Sequence, residues 1–142
     1  MSKVAAVKFV DYQTSVAKAL DLVGAADKLP NSGLIIIKPN LTNSDGPPVT
    51  TPVAAADAVY KYCKAHCKAE IAIGEGCGCG TTEQTFRANG YEKLAKKYGI
   101  RFIDFNRQEA VLVKNDKALQ LKEFHIPRIV QDAYIISLPI LT

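Results

Sequence analysis

Glu75, Cys77, Cys79 and Thr81 alternate with Gly74, Gly76, Gly78 and Gly80 in the stretch Ile71-Ala72-Ile73-Gly74-Glu75-Gly76-Cys77-Gly78-Cys79-Gly80-Thr81-Thr82. A carboxylate among thiols could serve acid–base chemistry or bind a metal. Closely spaced glycine N–H groups ahead of a helix could hold an anion. Glycine loses more backbone entropy on folding than any other residue, so this density implies a chain that turns tightly or approaches something closely. A flexible surface turn is the plain alternative.

The loop matches neither standard phosphate motif. A P-loop needs a lysine before its Ser/Thr, and Gly80 precedes Thr81. In the dinucleotide pattern G-x-G-x-x-G, Cys79 or Thr81 falls where the third glycine belongs. Cys63, Cys67, Cys77, Cys79 and His66 invite a metal assignment, but the C-x3-C and C-x-C spacings are not those of zinc or iron–sulfur sites. A strand separates Cys67 from Cys77 by roughly 15–20 Å at ~3.3 Å per residue, so one ion cannot take all four thiols. Cys63 and Cys67 read as small core residues. Cys77 and Cys79 remain as metal ligands that would need others from elsewhere, or as two thiols lining a pocket.

The elements that position these groups alternate. Val4 to Val10 predicts a strand, followed by a helix capped by Thr14 or Ser15 with Val16, Ala19, Leu20, Val23 and Ala26 at helical spacing. Leu34-Ile35-Ile36-Ile37 predicts a central strand stopped at Lys38-Pro39-Asn40. Thr51 as N-cap and Pro52 at the first helical position start a helix with Val53, Ala56, Tyr60, Cys63 and Cys67 on one stripe. After the glycine loop, Thr81 and Gln84 suggest a capping box, and Asn89-Gly90 divides the helix that follows. Ile100 to Asp104 is a further strand and Val111 to Leu121 a hairpin turning near Asn115-Asp116. Ile126-Pro127 should open a short helical turn, and Tyr134 to Leu138 a last buried strand.

This order predicts a single α/β domain over residues 1–142: a mostly parallel twisted sheet with helices on both faces, plus the hairpin near 111–121. Its C-terminal strand ends would gather Lys38, Asn40, Glu75, the glycine loop, Asp104 and Asn106 on one rim, the expected ligand site of such a sheet. Lys38, Asn40, Thr51, Glu75, Gly76, Gly78, Gly80 and Thr81 are therefore the candidate binding residues. Lys38 would hold an anion or pair with Glu75. Glu75 and Asp104, if close, could form an acid/base pair. His125 has no paired ligand in sequence and reads as structural.

At 142 residues, 48% hydrophobic and 23% charged, the chain has the composition of an ordinary globular domain. Its charge of +4 is scattered rather than clustered, which argues against nucleic acid. No apolar run reaches the ~20 residues of a membrane span. The absence of a signal-peptide layout and the four cysteines suggest reduced thiols in a cytoplasmic protein.

Three segments resemble the prokaryotic family of domain of unknown function 362. They are Ile35-Ile36-Ile37-Lys38-Pro39-Asn40-Leu41 with Thr51-Pro52, Gly74-Glu75-Gly76 with Thr81 and Gly90-Tyr91, and Ile126-Pro127 leading to Ser137-Leu138-Pro139. The resemblance implies no particular reaction. It does imply a possible iron–sulfur segment beyond this domain, and a chain that is the N-terminal part or a short version of a longer one. Cys77-Gly78-Cys79 is not carried over from the family. The expectation is a small anionic ligand or a metal-linked cofactor at the rim. The alternatives are an iron–sulfur accessory module using Cys77 and Cys79, and a non-catalytic interaction domain.

Overall fold

Continuous apolar runs mark strands covered on both sides, and Leu34–Pro39 (β1) is the central one. Ile35, Ile36 and Ile37 are fully buried. In this computed structural model, which describes residues 2–140, β1 lies between Glu70–Glu75 (β2) and Ala133–Leu138 (β6), with Arg101–Asp104 (β3) beyond β2. The order is β3-β2-β1-β6 and every pairing is parallel. All four C-terminal ends therefore share one rim.

Alternation along the strands sends side chains to two cores. Ile35, Ile37, Ile71 and Ile73 meet Val59 and Cys63 of Val53–His66 (α2), Phe86 of Thr82–Ala88 (α3), and Leu94 and Ala95 of Tyr91–Tyr98 (α4). On the opposite side Ile36, Ala72 and Ile103 pack against Phe105, Ile129 and Val130. Helical segments thus lie on both faces, but among the described residues the second face has only the 3₁₀ turns Phe105–Arg107 and Arg128–Val130. Tyr12–Leu22 (α1) packs mainly on α2.

Local signals in the middle of the chain hold. Thr81 accepts from Gln84 N–H at 3.2 Å while the Gln84 side chain accepts from Thr81 N–H, completing the capping box. Gly90, at φ 81°, makes the left-handed break between α3 and α4. On α2 the buried stripe runs through Ala56, Val59 and Cys63; Tyr60 stacks at its margin on Tyr98, and Cys67 lies just past the helix end.

Five expectations need correction here. Val4 to Val10 forms no strand, because no main chain among the described residues pairs with it; Val4, Phe9 and Val10 are exposed. Asp11, not Thr14 or Ser15, caps α1: its carboxylate accepts from Thr14 N–H at 2.7 Å, and Ser15 Oγ instead accepts from Val10 N–H. β6 is an edge strand with one neighbour, so Tyr134 and Ile135 are more than a third exposed rather than buried. The hairpin is longer than the turn signal suggested. Ala110–Lys114 (β4) returns through Glu123–Pro127 (β5), because Asn115 to Lys122 forms the connection and Lys114 pairs with Glu123 at the first rung. Ile126 and Pro127 thus end a strand, and the 3₁₀ turn starts at Arg128.

Burial in the α2 core pushes the Cys63 thiol from its ordinary 9.0 up to about 11. The unfolded chain loses this proton first as pH rises. Stability is therefore unaffected by Cys63 below about pH 9 and falls as pH climbs to about 11. Urea titrations of the parent and Cys63→Ala across that window should show a shallower alkaline loss in the variant.

Candidate functional site

The sheet's C-terminal rim is organised by Glu75, a carboxylate that its strand delivers into the interior. It is only 6% exposed. Lys38, at the end of β1, donates to Glu75 Oε2 at 3.0 Å. Leu41 N–H donates to the same oxygen at 3.3 Å and Gly76 N–H to Oε1 at 2.9 Å. A buried carboxylate with a cation and two backbone donors is well compensated. The Lys38 side chain is 38% exposed, so its ammonium keeps donors open to solvent.

Asp104 is the register partner of Glu75 across β2 and β3. The two carboxylates thus leave adjacent strands at the same level. Asp104 Oδ1 accepts from Thr82 Oγ1 at 2.8 Å and from Asn106 N–H at 3.0 Å, and Arg107 lies 3.5 Å from Oδ2. Each carboxylate therefore has its own set of partners.

Most of the glycine loop's N–H groups are spent inside the protein. Gly78 and Cys79 both donate to the Thr42 carbonyl, at 2.9 and 3.1 Å, and Cys77 donates to Thr82 Oγ1 at 3.5 Å. The close approach that the glycines signalled is therefore partly to neighbouring chain. A Cβ at Gly76 would sit 2.5 Å from Asn106 Oδ1, whereas one at Gly78 would meet Thr42 at an ordinary 3.5 Å. Gly80 alone in the loop has a positive φ, 76°. Thr81 is engaged as the cap of α3.

Thr51 is a buried junction and not a helix cap. Pro52 takes the cap position of α2. The Thr51 hydroxyl accepts from Asn40 N–H at 2.8 Å and donates to the Leu138 carbonyl at 2.7 Å, joining the ends of β1 and β6. Its N–H and carbonyl pair with the Asn40 carbonyl and the Tyr91 hydroxyl. Asn40, for its part, donates through Nδ2 to Val49.

Two clefts flank the Lys38–Glu75 pair. One, of about 250 Å³, is lined by Lys38, Asn40, Ser137, Leu138, Pro139 and Ile140. The other, of about 320 Å³, runs between the rim and the hairpin past Glu75, Gly76, Asn106, Gln108 and His125. The salt bridge joins the two. Sequence reasoning took His125 as structural and missed Gln108 and Ser137. The hairpin's return path brings His125 here and the 3₁₀ turn after β3 brings Gln108, and no local pattern signals either.

The thiols divide differently from the expectation. Cys63, Cys67 and Cys77 are buried and Cys79 is exposed. Cys77 Sγ sits 3.6 Å from both the Gly80 carbonyl and Thr82 Oγ1, held by the turn into α3. Cys77 and Cys79 thus face different surroundings, and among the described residues no group of three or more His, Cys, Asp or Glu side chains could hold a metal ion. These residues do not fit a cluster or metal by themselves. A brief native alkylation pulse read by mass spectrometry should label Cys79 first, with Cys77 grouped with Cys63 and Cys67. Equal labelling of Cys77 and Cys79 would mean the turn opens readily.

Among the described residues no helix is long and apolar enough to cross a membrane. Residues 35–142 match the family model described as "Domain of unknown function (DUF362)". No curated protein and no solved structure matches the chain.

Proposed function

On the premise that the chain belongs to the family of domain of unknown function 362, we propose that this domain binds a small anionic ligand or cofactor at the C-terminal rim. The observation that carries this is the Lys38–Glu75 pair bridging two clefts. Among the described residues Lys38 is the one charged side chain lining the smaller cleft, where Asn40 and Ser137 add polar groups. A carboxylate or phosphate there would share the ammonium with Glu75, which holds Lys38 in place through one bond and leaves its other donors free. Asn106, Gln108 and His125 in the larger cleft offer hydrogen bonds to polar parts of the same ligand. The glycine loop shapes this site by keeping the chain close to Asn106 and Thr42. The domain is cytoplasmic in this proposal.

The test is thermal melting against inorganic phosphate, pyrophosphate, citrate and adenine nucleotides, for the parent and for Lys38→Met, which keeps the aliphatic stem. A ligand binding only the folded state raises the melting temperature by mass action. At least one anion should stabilise the parent, and Lys38→Met should bind it about tenfold more weakly, roughly 1.4 kcal/mol. Equal stabilisation of both proteins, or none of the parent, would overturn the proposal.

A further inference from the structure

We propose that the domain has a second binding site, for a small amphiphilic anion with an oxyanion head on a short hydrocarbon body. The site is a cleft of about 330 Å³ between the C-terminal end of α1, the buried side of α2 and β6, and neither Lys38 nor Glu75 lines it. The N-terminal segment of the same chain borders it through Lys3, so this volume is what stays open with that segment in place. It falls within the ~300–1,000 Å³ of ordinary small-molecule pockets.

The walls are apolar. Leu20, Val23, Leu29 and Ile136 line the cleft, with Tyr62 and Cys63 as its buried part. The Tyr62 hydroxyl is spent on Asp21 at 2.8 Å, so this residue offers its ring. Burial keeps the Cys63 thiol protonated, and it adds to the apolar surface. Tyr134 and Ile135, each more than a third exposed, border the same space, and a hydrocarbon body there would remove part of them from water.

The charges at the cleft are of one sign. Lys3 and Lys28 line it, and among the described residues no Asp or Glu does. Neither lysine has an ion-pair partner among the described residues. A Cβ at Gly24, just past α1, would lie 3.9 Å from Lys3 Nζ. The ammonium therefore sits by the negative end of the α1 dipole, which favours a cation there, and it keeps donors for a ligand. Lys28 ends the 3₁₀ turn Ala26–Lys28 on the border of the same cleft. At the rim, by contrast, Glu75 already engages Lys38. Two uncompensated cations beside an apolar cleft complement a ligand with a negative head and a body without polar groups.

Amide NMR titrations of the protein with octanoate, octyl phosphate, 1-octanol and acetate test this. At least one of the two octyl anions should bind saturably, with shifts concentrated in residues 23–29 and in β6, and the tighter of the two identifies the head group. 1-Octanol, with the same body and no charge, should bind at least tenfold more weakly, and acetate should not saturate the site. Lys3→Met combined with Lys28→Met should weaken the octyl anion at least tenfold and leave 1-octanol unchanged. Both lysines are exposed, so the fold should survive. The proposal is overturned if neither octyl anion saturates, if 1-octanol binds as tightly, or if the double variant binds like the parent. Shifts confined to the rim around Lys38 and Gly76 would also overturn it, and would speak for the rim site instead.

Discussion

Gly74→Val should destabilise the domain by about 3 kcal/mol or more, the upper range for overfilling a packed core. Gly74 lies in β2 opposite Ile103. Its missing side chain makes room for Phe105, which turns back over the sheet after β3. A Cβ there would lie 2.6 Å from two ring carbons of Phe105 and 2.8 Å from Ile36 Cγ2. Ile36 is fully buried and cannot withdraw. Gly74→Ala should already cost about 1–3 kcal/mol, and valine's two further methyl groups add to the clash. Phe105→Ala removes the ring, so the Gly74→Val/Phe105→Ala double variant should be more stable than the sum of its single changes predicts. Gly78→Ala, with only ordinary contacts at Thr42, should be close to neutral. Urea denaturation of these variants decides the matter. A Gly74→Val protein as stable as the parent would mean that Phe105 does not occupy that space.

The same glycine shows how far the sequence could be read. Four glycines at alternate positions announce close approach, but not to what. Phe105 and Asn106 cover Gly74 and Gly76 from a turn some thirty residues on, and no local pattern encodes such a contact. Features that depend on neighbouring residues alone were legible: the Thr81–Gln84 capping box, the left-handed break at Gly90 and the buried run of β1. Features set by the sheet were not. The apolar run of β6 resembles that of a covered strand, but it sits at an edge. Val4 to Val10 has the composition of a strand, and among the described residues it has no main chain to pair with. Thr51-Pro52 carries a helix-start signal, yet the hydroxyl is drawn to the Leu138 carbonyl and Asn40 N–H, where two strand ends must be joined. Of the candidate site, the Lys38–Glu75 pairing followed from the shared rim. The clefts on either side depend on how the hairpin and β6 close around it.

Glu75→Leu should be the most damaging change at the rim, costing about 2–4 kcal/mol. Three donors converge on this carboxylate: the Lys38 ammonium, Leu41 N–H and Gly76 N–H. Leu41 is buried, so its N–H has no ready access to water once the acceptor is gone. An unsatisfied buried backbone donor costs about 1–3 kcal/mol. The abandoned charge on Lys38 adds less, because its half-exposed side chain can turn outward and be solvated. Glu75 also acts beyond its own bonds. Together with burial, its charge holds the Tyr91 hydroxyl well above its ordinary pKa, and Tyr91 keeps the proton that it donates to the Thr51 carbonyl. Glu75→Gln retains an oxygen for one backbone donor and should cost less than Glu75→Leu. Lys38→Met should cost less again, about 1–2 kcal/mol, since Glu75 keeps both backbone donors. The decisive comparison is therefore between the two partners of a single bond. If Lys38→Met lowers the urea midpoint as much as Glu75→Leu does, the backbone contacts contribute little and the ion pair alone holds the rim together.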